Sequence, residues 1–106
     1  MYLVYVTCAN TAEAEKIAAP VITQRLAACV NIFQPHQSLY LWDGKVQNEQ
    51  EVAVIFKTSK ETYPALEAAI MRLHPYDTPC IVAIEAQTGS QDFMGWVNRT
   101  TNDSGI

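Results

Sequence analysis

The chain of 106 residues carries 11 acidic against seven basic side chains, a formal charge of −4, and the basic residues are scattered along it. That balance argues against nucleic acid and anionic membrane surfaces as partners, because both select a basic surface. The length suits one domain, residues 1–106, with a single core and no linker, and the longest apolar runs are strand-sized, too short for a transmembrane helix.

The amino terminus, Met1-Tyr2-Leu3, lacks the basic start of a secretory signal, so a cytoplasmic location is expected. Three cysteines, Cys8, Cys29 and Cys80, are odd in number and irregularly spaced, which suits reduced thiols better than a disulfide framework. Residues 2–8 are β-rich and apolar at consecutive positions, the pattern of a strand buried on both faces. Asn10 with Glu13 three residues on reads as an N-cap and its reciprocal acid, opening a helix to about Ala27 whose apolar stripe is Ala14, Ile17 and Val21.

Residues 28–58 then form one long β-hairpin about Asp43-Gly44, a dipeptide suited to the positive φ values of a two-residue turn. Counted back from that turn, Trp42 faces Lys45, His36 faces Glu51, Phe33 faces Val54 and Ile32 faces Ile55, with Pro35 a candidate for a bulge. Both faces of the hairpin are apolar. A second helix begins at Ser59-Lys60-Glu61 with Pro64 in its first turn, buries Leu66, Ala69, Ile70 and Leu73, and stops at His74-Pro75. Pro75-Tyr76-Asp77-Thr78-Pro79 is a rigid turn. Residues 80–86 make a further strand, Gly89-Ser90 caps a short helix over about residues 91–98, and residues 100–106 read as a polar, frayed tail.

The order β, α, β, β, α, β with a terminal helix is that of an α+β ferredoxin-like domain, an antiparallel sheet with both long helices on one side. Two helices cover one face. The other face carries Val, Ile, Leu and Phe, which marks an interface and predicts a homo-oligomer joined through sheet faces or hairpin edges.

Few residues suggest chemistry. His74, at a helix end beside a rigid turn, is either a ligand or proton carrier or, more simply, part of a helix stop in which Tyr76 packs. Cys8 is the thiol to suspect, since Cys29 and Cys80 read as small core hydrophobes; a thiol and imidazole pair such as Cys8 with His74 would suit soft Cu(I). His36 opposite Glu51 suggests a cross-strand ion pair. Lys57, a lone cation in an apolar strand, pairs with Glu51 or Glu85 or else reaches into a cleft toward an anionic ligand. Trp42 at the hairpin tip suits burial in a neighbouring subunit. No catalytic motif stands out, which argues against an enzyme.

With these residues in view the sequence resembles the CutA family of divalent-cation tolerance proteins, over nearly the whole chain to about Arg99. The resemblance rests on Arg25-Leu26-Ala27-Ala28-Cys29-Val30-Asn31-Ile32, Ser38-Leu39-Tyr40 with Trp42-Asp43-Gly44-Lys45, Glu51 with Lys57-Thr58, His74-Pro75-Tyr76 with Pro79, and Trp96. It implies a ferredoxin-like fold, a cytoplasmic homotrimer built through the long hairpins with Tyr40 and Trp42 at the interface, and a non-enzymatic role in tolerance of copper or another divalent cation. It also implies metal ligands, a strand cysteine and a His-His pair; those positions fall here on Val6 and on Leu73-His74, leaving His74 with Cys8 as the metal-binding candidates for Cu2+ and no organic cofactor. Phe93 stands where a tyrosine is usual. The alternative implied is a small-molecule-sensing trimer, similar to nitrogen-regulatory signal proteins, with an anionic ligand between subunits near Lys57, Tyr76 and Trp96.

Overall fold

A computed structural model describes residues 1–102 of the protein. In chain order the elements are β1 (Tyr2–Cys8), α1 (Thr11–Thr23), β2 (Cys29–Ile32), β3 (His36–Trp42), β4 (Lys45–Thr58), α2 (Tyr63–Leu73), β5 (Ile81–Glu85) and α3 (Gln91–Asn102). The sheet runs β2-β4-β1-β5, antiparallel throughout, and β3 pairs with the outer half of β4. This is the ferredoxin-like arrangement. Its core lies between the sheet and the two long helices, where Val4, Val6, Val54 and Phe56 meet Ile17, Val21, Leu66 and Ile70.

Local chemistry sets the element ends. Asn10 is extended and its side chain accepts the Glu13 N–H at 2.9 Å, capping α1. The helix stops at Thr23 rather than near Ala27, because Arg25 turns left-handed at φ 59°. The Leu26 N–H then bonds the Val21 carbonyl at 3.0 Å and the Arg25 N–H bonds that of Ile22 at 3.0 Å, a Schellman closure made without glycine. Helix α2 starts at Tyr63, after a turn at Ser59, with Pro64 in its first turn, and ends before His74, which Pro75 forces into the extended region at ψ 133°.

Helix α3 is longer than its polar sequence suggests and continues through Thr100 and Thr101 to Asn102. Thr101 is buried, and its Oγ1 donates to Ser59 Oγ at 2.8 Å or to the Val97 carbonyl at 2.9 Å, while Ser59 Oγ reaches Asn102 Oδ1 at 3.0 Å. These hydroxyls tie the end of α3 to the chain leaving β4. The rest of the expected frayed tail, residues 103–106, lies outside the described residues.

The hairpin turn sits where the sequence places it: Asp43 and Gly44 have φ of 52° and 73°, Trp42 pairs with Lys45, and His36 pairs with Glu51. Nearer the body the register differs by one. Ile32 pairs with Val54, not Ile55, and Phe33 donates to the Ala53 carbonyl at 2.9 Å. Between Ile32 and His36 lie three residues, Phe33, Gln34 and Pro35, against only Val52 and Ala53 on β4. The extra residue is a bulge at the proline, which cannot donate to the ladder.

The face away from α1 and α2 follows from these registers. Cys29, Lys57, Leu3 and Ile84 form one row across it, and Asn31, Ile55, Tyr5 and Val82 the next. Val82 and Ile84 are 51% and 59% exposed. Beyond the body the β3–β4 arm projects with Leu39, Leu41, Val46 and Trp42 exposed, which gives the molecule its 48 Å long axis.

Candidate functional site

At the base of the arm, on the open side of the sheet, lies a cleft of about 640 Å³. Three segments build it. The arm contributes alternate residues of β4, including Glu49 and Glu51, and from β3 Tyr40 and Trp42, which the register brings to the same side. The rigid turn after α2 contributes Tyr76 and Asp77. Thr7, at the end of β1, forms part of the floor.

His74 holds the turn in place. Its Nε2 lies 2.8 Å from the Thr7 carbonyl oxygen, so that nitrogen carries the proton and donates, and its Nδ1 accepts the Tyr76 N–H at 3.2 Å. The Tyr76 ring packs against the imidazole with centroids 4.6 Å apart, and its hydroxyl donates to Glu51 Oε2 at 3.5 Å. Partial burial, and then the Glu51 and Glu49 carboxylates, push the Tyr76 hydroxyl above its usual range. Tyr40 is raised likewise, by desolvation first and then by Glu49 and Glu51. No Lys, Arg or His is among the described residues lining the cleft, and the one ion pair among the described residues is the exposed Lys16–Glu13 contact at 3.8 Å. The cleft is therefore negative, with aromatic walls.

Cys8 and His74, the expected metal pair, are both buried. Cys8 points into the helix-covered core and is 1% exposed; burial first, then Glu13 and Glu51, push its thiol up to about 11, far from the thiolate a metal needs. His74 is 6% exposed with both ring nitrogens already bonded to backbone. Val6 is fully buried in the core beside Cys8's row. Among the described residues, no group of three or more His, Cys, Asp or Glu side chains converges to hold a metal ion.

Within one chain, the residues expected around an anion site between subunits fall into two places. Lys57 Nζ sits 5.4 Å from the Phe93 ring centroid, and Phe93 packs against Trp96 at 5.8 Å, so these three share the α3 end of the open face. Lys57 forms no ion pair with Glu51 or Glu85. Tyr76 contacts Glu51, six residues back along β4 and so roughly 20 Å away. His36 does face Glu51, but its Nε2 meets Ser38 Oγ at 3.2 Å and no ion pair forms.

Sequence reasoning passed over Glu49, Asp77 and the cleft itself. The signal lay in the alternation Gln47, Glu49, Glu51 opposite Tyr40 and Trp42, which the turn register already places on one side of the arm.

A ferredoxin-like sheet with an overlong hairpin arm, one bare apolar face and a negative cleft beside the arm defines a class of small α+β proteins. More narrowly, the chain belongs to the CutA1 divalent ion tolerance protein family, whose family model matches residues 2–100. It is 39% identical over 97 residues to the divalent-cation tolerance protein CutA of Archaeoglobus fulgidus, covering 92% of this chain and 94% of that one. The solved structure of the divalent cation tolerance protein (Cut A1) from Thermus thermophilus matches with a TM-score of 0.91 at 35% identity, over 95% of this chain and 99% of that one.

The solved A. fulgidus structure, with a TM-score of 0.90 at 38% identity over 95% of this chain and 99% of that one, is described as that of a periplasmic divalent cation tolerance protein. That description overturns the cytoplasmic expectation. A missing basic start and free thiols are weak guides to compartment in a chain whose fold is built without disulfides.

Proposed function

We propose that the protein serves divalent-cation tolerance as a homotrimer that binds and assembles rather than turning over a substrate, with copies joined through the open sheet face and the hairpin arms. The observation that carries this reading is the bare apolar face, where Phe33, Tyr5, Val82 and Ile84 lie exposed in contiguous rows beside an arm that exposes Leu39, Leu41 and Trp42. An apolar surface of this extent is rare on a monomer, and a second copy is the partner always at hand. The family membership supplies the cation-tolerance role.

Sedimentation velocity at micromolar concentration tests the assembly. The unmodified chain is expected at three times the monomer mass, and Ile84→Asp, which places a carboxylate on the β5 side of the apolar face, is expected to dissociate it. A folded monomer in the unmodified protein would refute the reading. Copper, as Cu(I) or Cu(II), is held weakly in this proposal, because Cys8 must lose its proton and His74 must release a backbone bond before either can ligate. Titration against Cys8→Ser and His74→Ala checks that pair; affinity unchanged in both variants would remove it.

A further inference from the structure

We propose that a second copy completes the cleft: β2 of one copy adds to the free edge of β4 in the arm of the next, which brings the partner subunit's Lys57 to Glu49. The proposal rests on the assembly described above and specifies how its arms engage. Three observations carry it.

The first is a pair of open edges. Among the described residues β2 has a strand on one side only, and β1 leaves β4 at Val52, so residues 45–51 of β4 pair with β3 alone. Such edges are templates for another strand. Strands β2 and β3 flank β4 on one side, and the bare edge of residues 45–51 lies on the other. Joining β2 to that edge is therefore a head-to-tail contact, able to close a ring of three copies. The β2–β3 edge set against its own copy would instead stop at a two-fold pair.

The second is phase. The Phe33 N–H bonds the Ala53 carbonyl, so by alternation the odd residues of β2 bond inward and Val30 and Ile32 turn their backbone groups outward. On the arm, the two-residue turn makes Trp42 and Lys45 a hydrogen-bonded pair, and the backbone groups of Val46, Asn48 and Gln50 face away from β3. In both strands these even-numbered side chains are on the helix side, in phase with the buried Val54 and Phe56. Antiparallel pairing of the two edges thus continues one helix side and one open side across the joint. The register that sets Val46 against Ile32 pairs apolar with apolar. It also lays Val46 and its arm neighbour Leu41, 71% and 69% exposed, toward the apolar groove formed by Ile22, Val30 and Ile32 beside α1.

The third is charge. In that register Glu49 faces Cys29 of the partner subunit, and Cys29 is itself paired with Lys57 in its own chain. Glu49 and the partner subunit's Lys57 are then two strand spacings apart, about 10 Å between backbones, with a small cysteine between them. An extended lysine and glutamate span that distance. Lys57 has no carboxylate partner among the described residues of its own chain, and the cleft holds Glu49, Glu51 and Asp77 with no base among its described lining residues. Each supplies the charge that the other lacks.

The test is a cross-link in the full chain carrying Cys80→Ser and Glu49→Cys, oxidised with diamide and run on a denaturing gel without reductant. Facing residues of antiparallel strands are within disulfide reach. Positions 29 and 49 of one chain are not, because Cys29 pairs with Lys57, eight residues along β4 from Glu49 and so roughly 26 Å away. Disulfide-linked dimers and trimers are expected, lost on adding Cys29→Ser and much weaker when Gln47→Cys or Glu51→Cys replaces Glu49→Cys. A trimer by sedimentation with no link from position 49, or with stronger links from 47 or 51, overturns this pairing and leaves the assembly standing; a monomer by sedimentation removes both. For the ion pair, Lys57→Met and Glu49→Gln are each expected to raise the dissociated fraction in urea about tenfold, and the double variant no further. Additive losses would overturn the contact between Lys57 and Glu49.

Discussion

His74 and Thr7, 67 residues apart, are joined by a 2.8 Å hydrogen bond from the imidazole Nε2–H to a backbone carbonyl, and the same ring accepts the Tyr76 amide through Nδ1. The ring is buried, so removing it leaves two backbone groups short of partners and a cavity behind. His74→Ala is expected to lower stability by about 2–4 kcal/mol. Urea unfolding measures the loss, and hydrogen exchange should show the Tyr76 amide among the most affected. A loss below about 0.5 kcal/mol would mean that the turn is held by its prolines alone.

A second long-range bond closes α3. The buried Thr101 hydroxyl and Ser59 Oγ lie 2.8 Å apart, and Ser59 also reaches Asn102. Thr101→Val keeps the shape and removes the hydroxyl, so it is expected to cost about 1–2 kcal/mol, and Ser59→Ala a similar amount. Because both act on one network, the double variant should lose less than the sum in a double-mutant cycle. Strict additivity would show that the hydroxyls act separately.

Cys8 gives a pH dependence of known sign. Burial first, and then the Glu13 and Glu51 carboxylates, push its thiol up from the ordinary range to about 11 in the folded chain. The unfolded state therefore releases this proton first. The thiol's contribution to stability is intact below about 9 and is lost as pH rises toward 11. Tyr40, Tyr63 and Tyr76, also raised, act in the same direction, so the comparison needed is with Cys8→Ala, whose stability should fall less steeply across that window. Parallel curves would show that the thiol ionises alike in both states.

Arg25 and Gly44 make a reciprocal pair. Both have positive φ, at 59° and 73°, but only Gly44 is free of the Cβ penalty there. Arg25→Gly should therefore stabilise the chain, by up to about 1 kcal/mol. Gly44→Ala should cost about 1 kcal/mol, although its Cβ would meet no atom within 4 Å. Thermal unfolding of both variants checks the signs, and equal signs would exclude backbone strain as the cause.

The features legible in the sequence are those written by neighbouring residues. The Asn10 cap, Pro64 in the first turn of α2, the stop at His74-Pro75 and the turn at Asp43-Gly44 each depend on residues at most four apart, and each is found where expected. The strand order followed from counting elements. What escaped depended on distant partners or on residues in unusual roles. Arg25 closes α1 in a conformation normally left to glycine, so the helix end was placed too late. Thr100 and Thr101 look like loop residues until Ser59, 42 positions earlier, is known to meet Thr101. The pairing of Cys8 with His74 came from residue types and from the family resemblance, neither of which carries orientation: Cys8 faces the helices, and His74 spends both ring nitrogens on backbone.

The bulge at Phe33-Gln34-Pro35 reverses the parity of the strand that edges β4. Before it, the odd-numbered residues Cys29 and Asn31 lie on the open side of the sheet; after it, the even-numbered Tyr40 and Trp42 lie there with Glu49 and Glu51. The body holds the first register and the Asp43-Gly44 turn holds the second. The extra residue reconciles two demands that a regular strand of the same length would set one step out of phase.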